Sequence, residues 1–139
     1  MANNIEITLL SSEEYQRYKK YIPPIDSNVW WLRDACPGYD SAACCASNTS
    51  PYIVGGIHNE TIGVRPVLQI NIENNKALQP GDKIRIGSKN FTIIWWDGDG
   101  LFALCDECIA TRRFDTDSNK WETSELKEWL ETEGIKLIF

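Results

Sequence analysis

Apolar and polar residues alternate strictly over Ile5-Glu6-Ile7-Thr8-Leu9, which predicts a short strand with one covered face. The period then changes. Ser11-Ser12-Glu13-Glu14 has the spacing of a capping box, in which each end residue's side chain accepts the other's backbone N–H, and Leu10 is placed to pack on Tyr15. Tyr15, Tyr18 and Ile22 lie along one helical stripe, with Glu14, Arg17, Lys19 and Lys20 elsewhere. Pro23-Pro24 ends that helix, since neither proline donates to the ladder and each disfavours helix in the residue before it.

Val29-Trp30-Trp31-Leu32-Arg33-Asp34 and Gly63-Val64-Arg65-Pro66-Val67-Leu68 read as the centre of the fold. Two adjacent indoles are costly in water, and each indole N–H needs an acceptor when buried. Between them, residues 35–62 are small, polar and turn-prone, with only Tyr52-Ile53-Val54 suggesting a strand. A long stretch without strong periodicity inside a compact domain is expected to be a working surface.

The strand signal returns at Leu68, Ile70 and Ile72, alternating with Gln69, Asn71 and Glu73. Lys83–Ile86 and Phe91–Trp96 are joined through Gly87-Ser88, a hairpin signal, and Asp97-Gly98-Asp99-Gly100 leads into Leu101–Cys105 through a second. Those aspartates lack the further ligands of a calcium loop, so turn chemistry is the reading. Residues 112–120 are polar and read as a connecting loop. In the helix over 121–134, Thr123 or Ser124 caps, Leu126, Trp129 and Leu130 form the buried face, and Gly134 ends it. Ile135–Phe139 reads as a last strand. The expected fold is α+β: one domain over 1–139, a twisted antiparallel sheet with two helices and a long irregular loop.

The chain has 139 residues, enough for a true core, and a net charge of -6. That charge argues against a nucleic-acid groove and leaves a basic protein partner open. The first residues show no signal-peptide pattern and no apolar run could span a bilayer, so the expected location is the cytoplasm of a bacterium or a phage-infected cell. Cys36, Cys44, Cys45, Cys105 and Cys108 are then expected to be reduced. Cys105-Asp106-Glu107-Cys108 has the spacing of half a zinc site, but no second such pair follows. Structural thiols are the expectation, with no metal and no cofactor.

"ITLLSSEEYQRY", "VWWLRD" and "GVRPVLQI" resemble the second half of a bacterial and phage domain of unknown function with a WWLRS…GVRPAL signature. "GDKIRIGSKNFTIIWWDGDGLFALCDECI" and "WETSELKEWLE" are similar to its first half. The resemblance implies a C-type-lectin-like fold, shared with formylglycine-generating enzymes. It also implies a circular permutation: residues 1–72 match the family's second half, 83–139 its first half, and 73–82 form an added linker. Asp34 stands where the family has serine, and cysteines replace the usual small polar residues of the following loop.

The expected function is a non-enzymatic binding module that recognises a protein or glycan through residues 35–62, assisted by the 111–120 loop. Tyr39, Asp40, Asn48, Tyr52, His58 and Asn59 are the candidate contacts, being amphipathic aromatics and short polar side chains suited to adaptable recognition. The alternative is a phage- or prophage-encoded inhibitor of a host defence protein acting by protein–protein contact. Neither nucleic acid nor membrane is an expected partner, and self-association is left open. Catalysis is not expected, because the single histidine, His58, has no nucleophile and orienting group near it in sequence. Trp30, Trp31, Arg33, Gly63 and Arg65 are expected to be structural, the arginines bonding to backbone carbonyls or to Asp34 and holding the two ends of 35–62 together.

Overall fold

The computed structural model describes residues 5–26, 29–71, 78–96 and 100–139. Ile72, most of the expected 73–82 linker and the Asp97-Gly98-Asp99 turn lie outside the described residues. The first alternating run is β1, Ile5–Thr8. Helix α1, Ser12–Tyr18, opens on the capping box: Ser11 Oγ accepts the Glu14 N–H at 3.1 Å, and Glu14 Oε1 accepts the Ser11 N–H at 2.9 Å.

Among the described residues ten strands form two sheets rather than the single sheet expected. The first is antiparallel in the order β1-β6-β9-β8-β7, with β6 Val67–Asn71, β7 Lys83–Ile86, β8 Lys89–Trp96 and β9 Gly100–Cys105. The second runs β10-β5-β2-β3-β4, with β2 Trp30–Ala35, β3 Ala42–Ala46, β4 Ile53–Gly56, β5 Gly63–Val64 and β10 Ala110–Thr111. It is mixed, because β2 pairs in parallel with β5 through Trp30 and Gly63. The α+β class holds. Among the described residues no helix is long and apolar enough to cross a membrane.

The expected irregular loop over 35–62 is corrected in part: Ala42–Ala46 and Ile53–Gly56 within it pair as a β-hairpin. All five residues of β3 are buried. The alternation that marks a half-covered strand is missing because both faces of β3 are covered, one by the cluster holding Trp31 and the other by the cluster holding Trp30. Small side chains at 42–46 leave room for the indoles. Trp30 and Trp31, adjacent on one strand, point to opposite faces and anchor both clusters.

The C-terminal elements need two corrections. Ser124 does cap helix α2, Glu125–Trp129, accepting the Lys127 N–H at 3.0 Å. Gly134 does not end the helical path, which widens to a π-turn over Leu130–Gly134 and tightens to 3-10 over Ile135–Leu137. An added Cβ at Gly134 would stand 3.0 Å from both Leu130 and Trp129, so close packing uses this glycine. Ile135–Phe139 is therefore not a strand. Ile135 and Ile138 are spaced by three, the helical interval, and both face the core. The β7–β8 hairpin turn at Gly87, φ +60, packs on this segment, where the Ser88 N–H donates to the Ile138 carbonyl at 2.7 Å.

The chain passes from the second sheet to the first at Arg65-Pro66 and returns through residues 106–109. The two crossings run side by side: the Cys105 N–H donates to Pro66 at 2.9 Å and the Ile109 N–H to Val64 at 2.8 Å. Arg65 sits at this junction, 1 % exposed. Its Nε donates to the Cys105 carbonyl at 2.7 Å and its Nη2 to the Pro23 carbonyl at 2.8 Å, while the guanidinium lies 4.9 Å from the Trp30 ring. Burial lowers its pKa to about 10, with nearby Cys108, Asp106, Cys105 and Tyr15 acting the other way, so it stays charged at neutral pH. Arg33 bonds to the Leu9 carbonyl at 2.7 Å and to Glu14 at 2.5 Å. Asp34 accepts from Ser12 instead of from an arginine. The arginines thus tie the α1 region and the sheet junction, not the two ends of 35–62.

Candidate functional site

The β3–β4 hairpin and the turns that flank it carry the candidate contacts, and its register divides them. Cys45 stands opposite Ile53 and Ala42 opposite Gly56. Asn48 and Tyr52 therefore lie at one end, and Tyr39, Asp40, His58 and Asn59 at the other, roughly 13 Å away at about 3.3 Å per residue. No single point contact could use all six.

Three of the six are bonded closely within the chain, and the Tyr52 hydroxyl accepts at longer range from Gln16 Nε2 at 3.5 Å. The Asn48 amide clasps one residue, accepting the Ile25 N–H at 3.0 Å and donating to the Ile25 carbonyl at 2.8 Å. Asn59 Oδ1 accepts from the Thr61 N–H at 2.9 Å and hydroxyl at 2.7 Å, the local turn bonding to which asparagine is suited. His58 Nε2 lies 2.9 Å from the Thr116 carbonyl, an acceptor only, so Nε2 carries the proton. Asp40 is exposed, and Tyr39 and Tyr52 are 55 % and 61 % exposed. Val54, 45 % exposed, belongs with them and is not legible as a contact in sequence. Its signal is faint: the uncharged run Tyr52–Gly56 has apolar residues on both faces.

A cleft of about 440 Å³ opens beside β4. Val29, Cys45, Ile62, Gly63 and Cys108 line it with Ile53, Val54 and Gly55, and the polar members are Asn59, Thr61 and Thr111. Both outer strands of the second sheet border the cleft, β4 through Ile53–Gly55 and β10 through Thr111, so the sheet is curled around it. No charged side chain lines it. Gly55 is needed here, since a Cβ would overlap Cys45 Sγ and come within 2.8 Å of Trp31; one at Gly63 would stand 2.5 Å from Cys108 Sγ.

Burial pushes the Cys44 and Cys45 thiols up to about 12, and raises Cys105 as well. Such thiols are protonated at neutral pH and make poor nucleophiles and ligands. Among the described residues no group of three or more His, Cys, Asp or Glu is arranged to hold a metal.

The neighbouring 112–120 segment is held by Asp115, which is buried. Its carboxylate accepts the N–H groups of Asp117 at 3.1 Å, Ser118 at 2.9 Å and Glu125 at 3.0 Å. Burial alone would raise this carboxyl; the donors of Ser118, Glu125, Asp117 and Thr116 together outweigh it and hold it below the ordinary aspartate value. Asn119 donates to the carbonyls of Tyr39 at 2.9 Å and Ala42 at 3.0 Å, docking this segment on the hairpin's Tyr39 end.

Comparison with known protein families, curated proteins and solved structures finds no match.

Proposed function

We propose that this chain is a non-enzymatic binding module that engages a protein through the β3–β4 hairpin. One observation carries the reading: among the described residues five large apolar side chains are left exposed, of which Tyr52 and Val54 stand on this hairpin and Tyr39 in the β2–β3 turn at its other end, whereas Leu137 and Phe139 lie at the other extreme of the sequence. Tyrosines present apolar area with a polar tip at small entropic cost, which suits a contact surface. A protein is favoured over a glycan because the cleft beside them is lined mainly by apolar and small residues. The double variant Tyr39→Ser/Tyr52→Ser should keep the wild-type melting temperature and lose at least about tenfold in partner affinity, measured by interferometry on proteins captured from host lysate, with a glycan array in parallel. Unchanged affinity, or binding on the glycan array alone, would overturn this reading.

The net charge of -6 supports a second reading within the same class, an inhibitor of a basic host protein, because acidic surfaces speed encounter with basic ones.

For the finer fold, we propose a circularly permuted C-type-lectin-like domain. In support, β1 lies against the C-terminal helical segment, where Ile5, Ile7, Glu131 and Ile135 border one cleft. Strands β6 and β7 are separated by β9 and β8, roughly 14 Å at about 4.8 Å per step, which the intervening residues can span. A chain restarted at Lys83, with Phe139 joined to Ile5 by a short linker, should fold with an unchanged far-ultraviolet spectrum and cooperative melting. Failure to fold would sink the permutation.

A further inference from the structure

The four sheet edges differ in how they are guarded. Edge β7 carries the exposed cations Lys83 and Arg85, β1 carries the exposed Glu6, and β10 is only two residues long. Charge and shortness are the usual means of preventing an edge from recruiting another strand. Edge β4, Ile-Val-Gly-Gly, has neither a charge nor a proline.

The register shows which of its backbone groups face outward. The Ile57 N–H donates to Ser41 at 3.1 Å, continuing the pairing in which Gly55 faces Ala43 and Ile53 faces Cys45. In an antiparallel ladder, bonded and non-bonded positions alternate. Ile53, Gly55 and Ile57 therefore bond inward to β3, and Val54 and Gly56 turn their N–H and C=O groups away from it. The Gly56 carbonyl is taken by the Asn59 N–H at 3.0 Å. Val54 thus presents both a donor and an acceptor on an edge where no described strand lies beyond it.

We infer that β4 is a docking edge for an extended peptide segment of a partner protein, which adds a sixth strand to the second sheet. The partner N–H donates to the Val54 carbonyl, its C=O accepts the Val54 N–H, and an apolar side chain enters the 440 Å³ cleft beside Ile53 and Gly55. The occupant's chemistry follows from the surface. Outward backbone groups require a backbone, and a cleft without charged lining requires an uncharged side chain. The chain's net charge of -6, with exposed Asp40 at the Gly56 end and Glu60 beside it loosely paired to Arg113 at 3.9 Å, favours basic flanking residues over a second acidic copy of this chain. The inference rests on the hairpin being the binding surface, and narrows its partner to an extended strand.

The test uses a displayed library of random peptides selected against the whole chain, followed by titration of one selected synthetic peptide. Selected sequences should combine alternating apolar residues with lysine or arginine flanks, and binding should slow hydrogen exchange at the Val54 amide. N-methylation of the peptide at alternate residues should weaken binding at least about tenfold, and Val54→Lys, which adds the charge found on other edges, should do the same at unchanged melting temperature. Peptides that bind without protecting Val54, or that tolerate methylation at every position, would overturn the docking edge while leaving a binding module in place. Protection of Val54 by self-association alone would also overturn it. If no peptide is selected and the Tyr39→Ser/Tyr52→Ser variant binds like wild type, both readings fall together.

Discussion

Residues 35–62 and 112–120 look alike in sequence, short on periodicity and rich in turn formers, yet they are ordered by opposite means. The first is ordered from its core side. Five buried small residues form a strand between two indoles, and Gly55 is required by its close approach to Cys45 and Trp31. The second has only two buried residues, Phe114 and Asp115, and the carboxylate of Asp115 gathers backbone N–H groups from the segment itself and from the first residue of α2. Absence of pattern can therefore mean coverage on both faces or organisation by one polar side chain. Trp31 links the two, because its ring lies in the core of the hairpin and its indole N–H donates to the Arg112 carbonyl at 2.7 Å.

The largest expected effect breaks that link. Trp31→Ala should cost about 4 kcal/mol, from the lost burial and the cavity left behind, and should lower the urea midpoint accordingly. A loss below about 1 kcal/mol would mean that the hairpin does not depend on the indole. A smaller effect isolates the second segment. Asp115→Asn should cost about 1 kcal/mol at neutral pH, since the amide offers one acceptor where the carboxylate offers two. The sign with pH is fixed by the depressed carboxyl. Its contribution is fully present above the unfolded aspartate pKa and is lost as pH falls through the lower folded value. Denaturant titrations carried from neutral pH into the acid range should show a shallower loss for Asp115→Asn than for wild type. Parallel curves would show that the carboxylate's charge does not matter to this segment.

What was legible in the sequence follows the same division. The capping box of α1, the Gly87-Ser88 turn and the Ser124 cap are local chemistry, complete within a few residues, and each forms as expected. Burial of Trp30, Trp31 and Arg65 was also legible, because such groups have few stable places outside a core or junction. The β3 strand was hidden because its evenness comes from neighbours far along the chain. Gly134 misled because glycine serves both helix termination and close packing, and only the contacts with Leu130 and Trp129 distinguish them. Asn48 and His58 have the composition of contact residues, but their polar atoms bond to Ile25 and Thr116, which no spacing in the sequence reveals. Val54 was missed for a related reason, since an edge is a property of strand order.

The guanidinium at the sheet junction also bears on how the molecule comes to exist. Its partners arrive from Pro23, Trp30 and Cys105, so a nascent chain must expose most of its length before this cation has its acceptors. A half-assembled state with one sheet complete would strand a charge in apolar surroundings. The residue therefore ties the stability of one sheet to that of the other, because a fold lacking either leaves the charge with fewer partners.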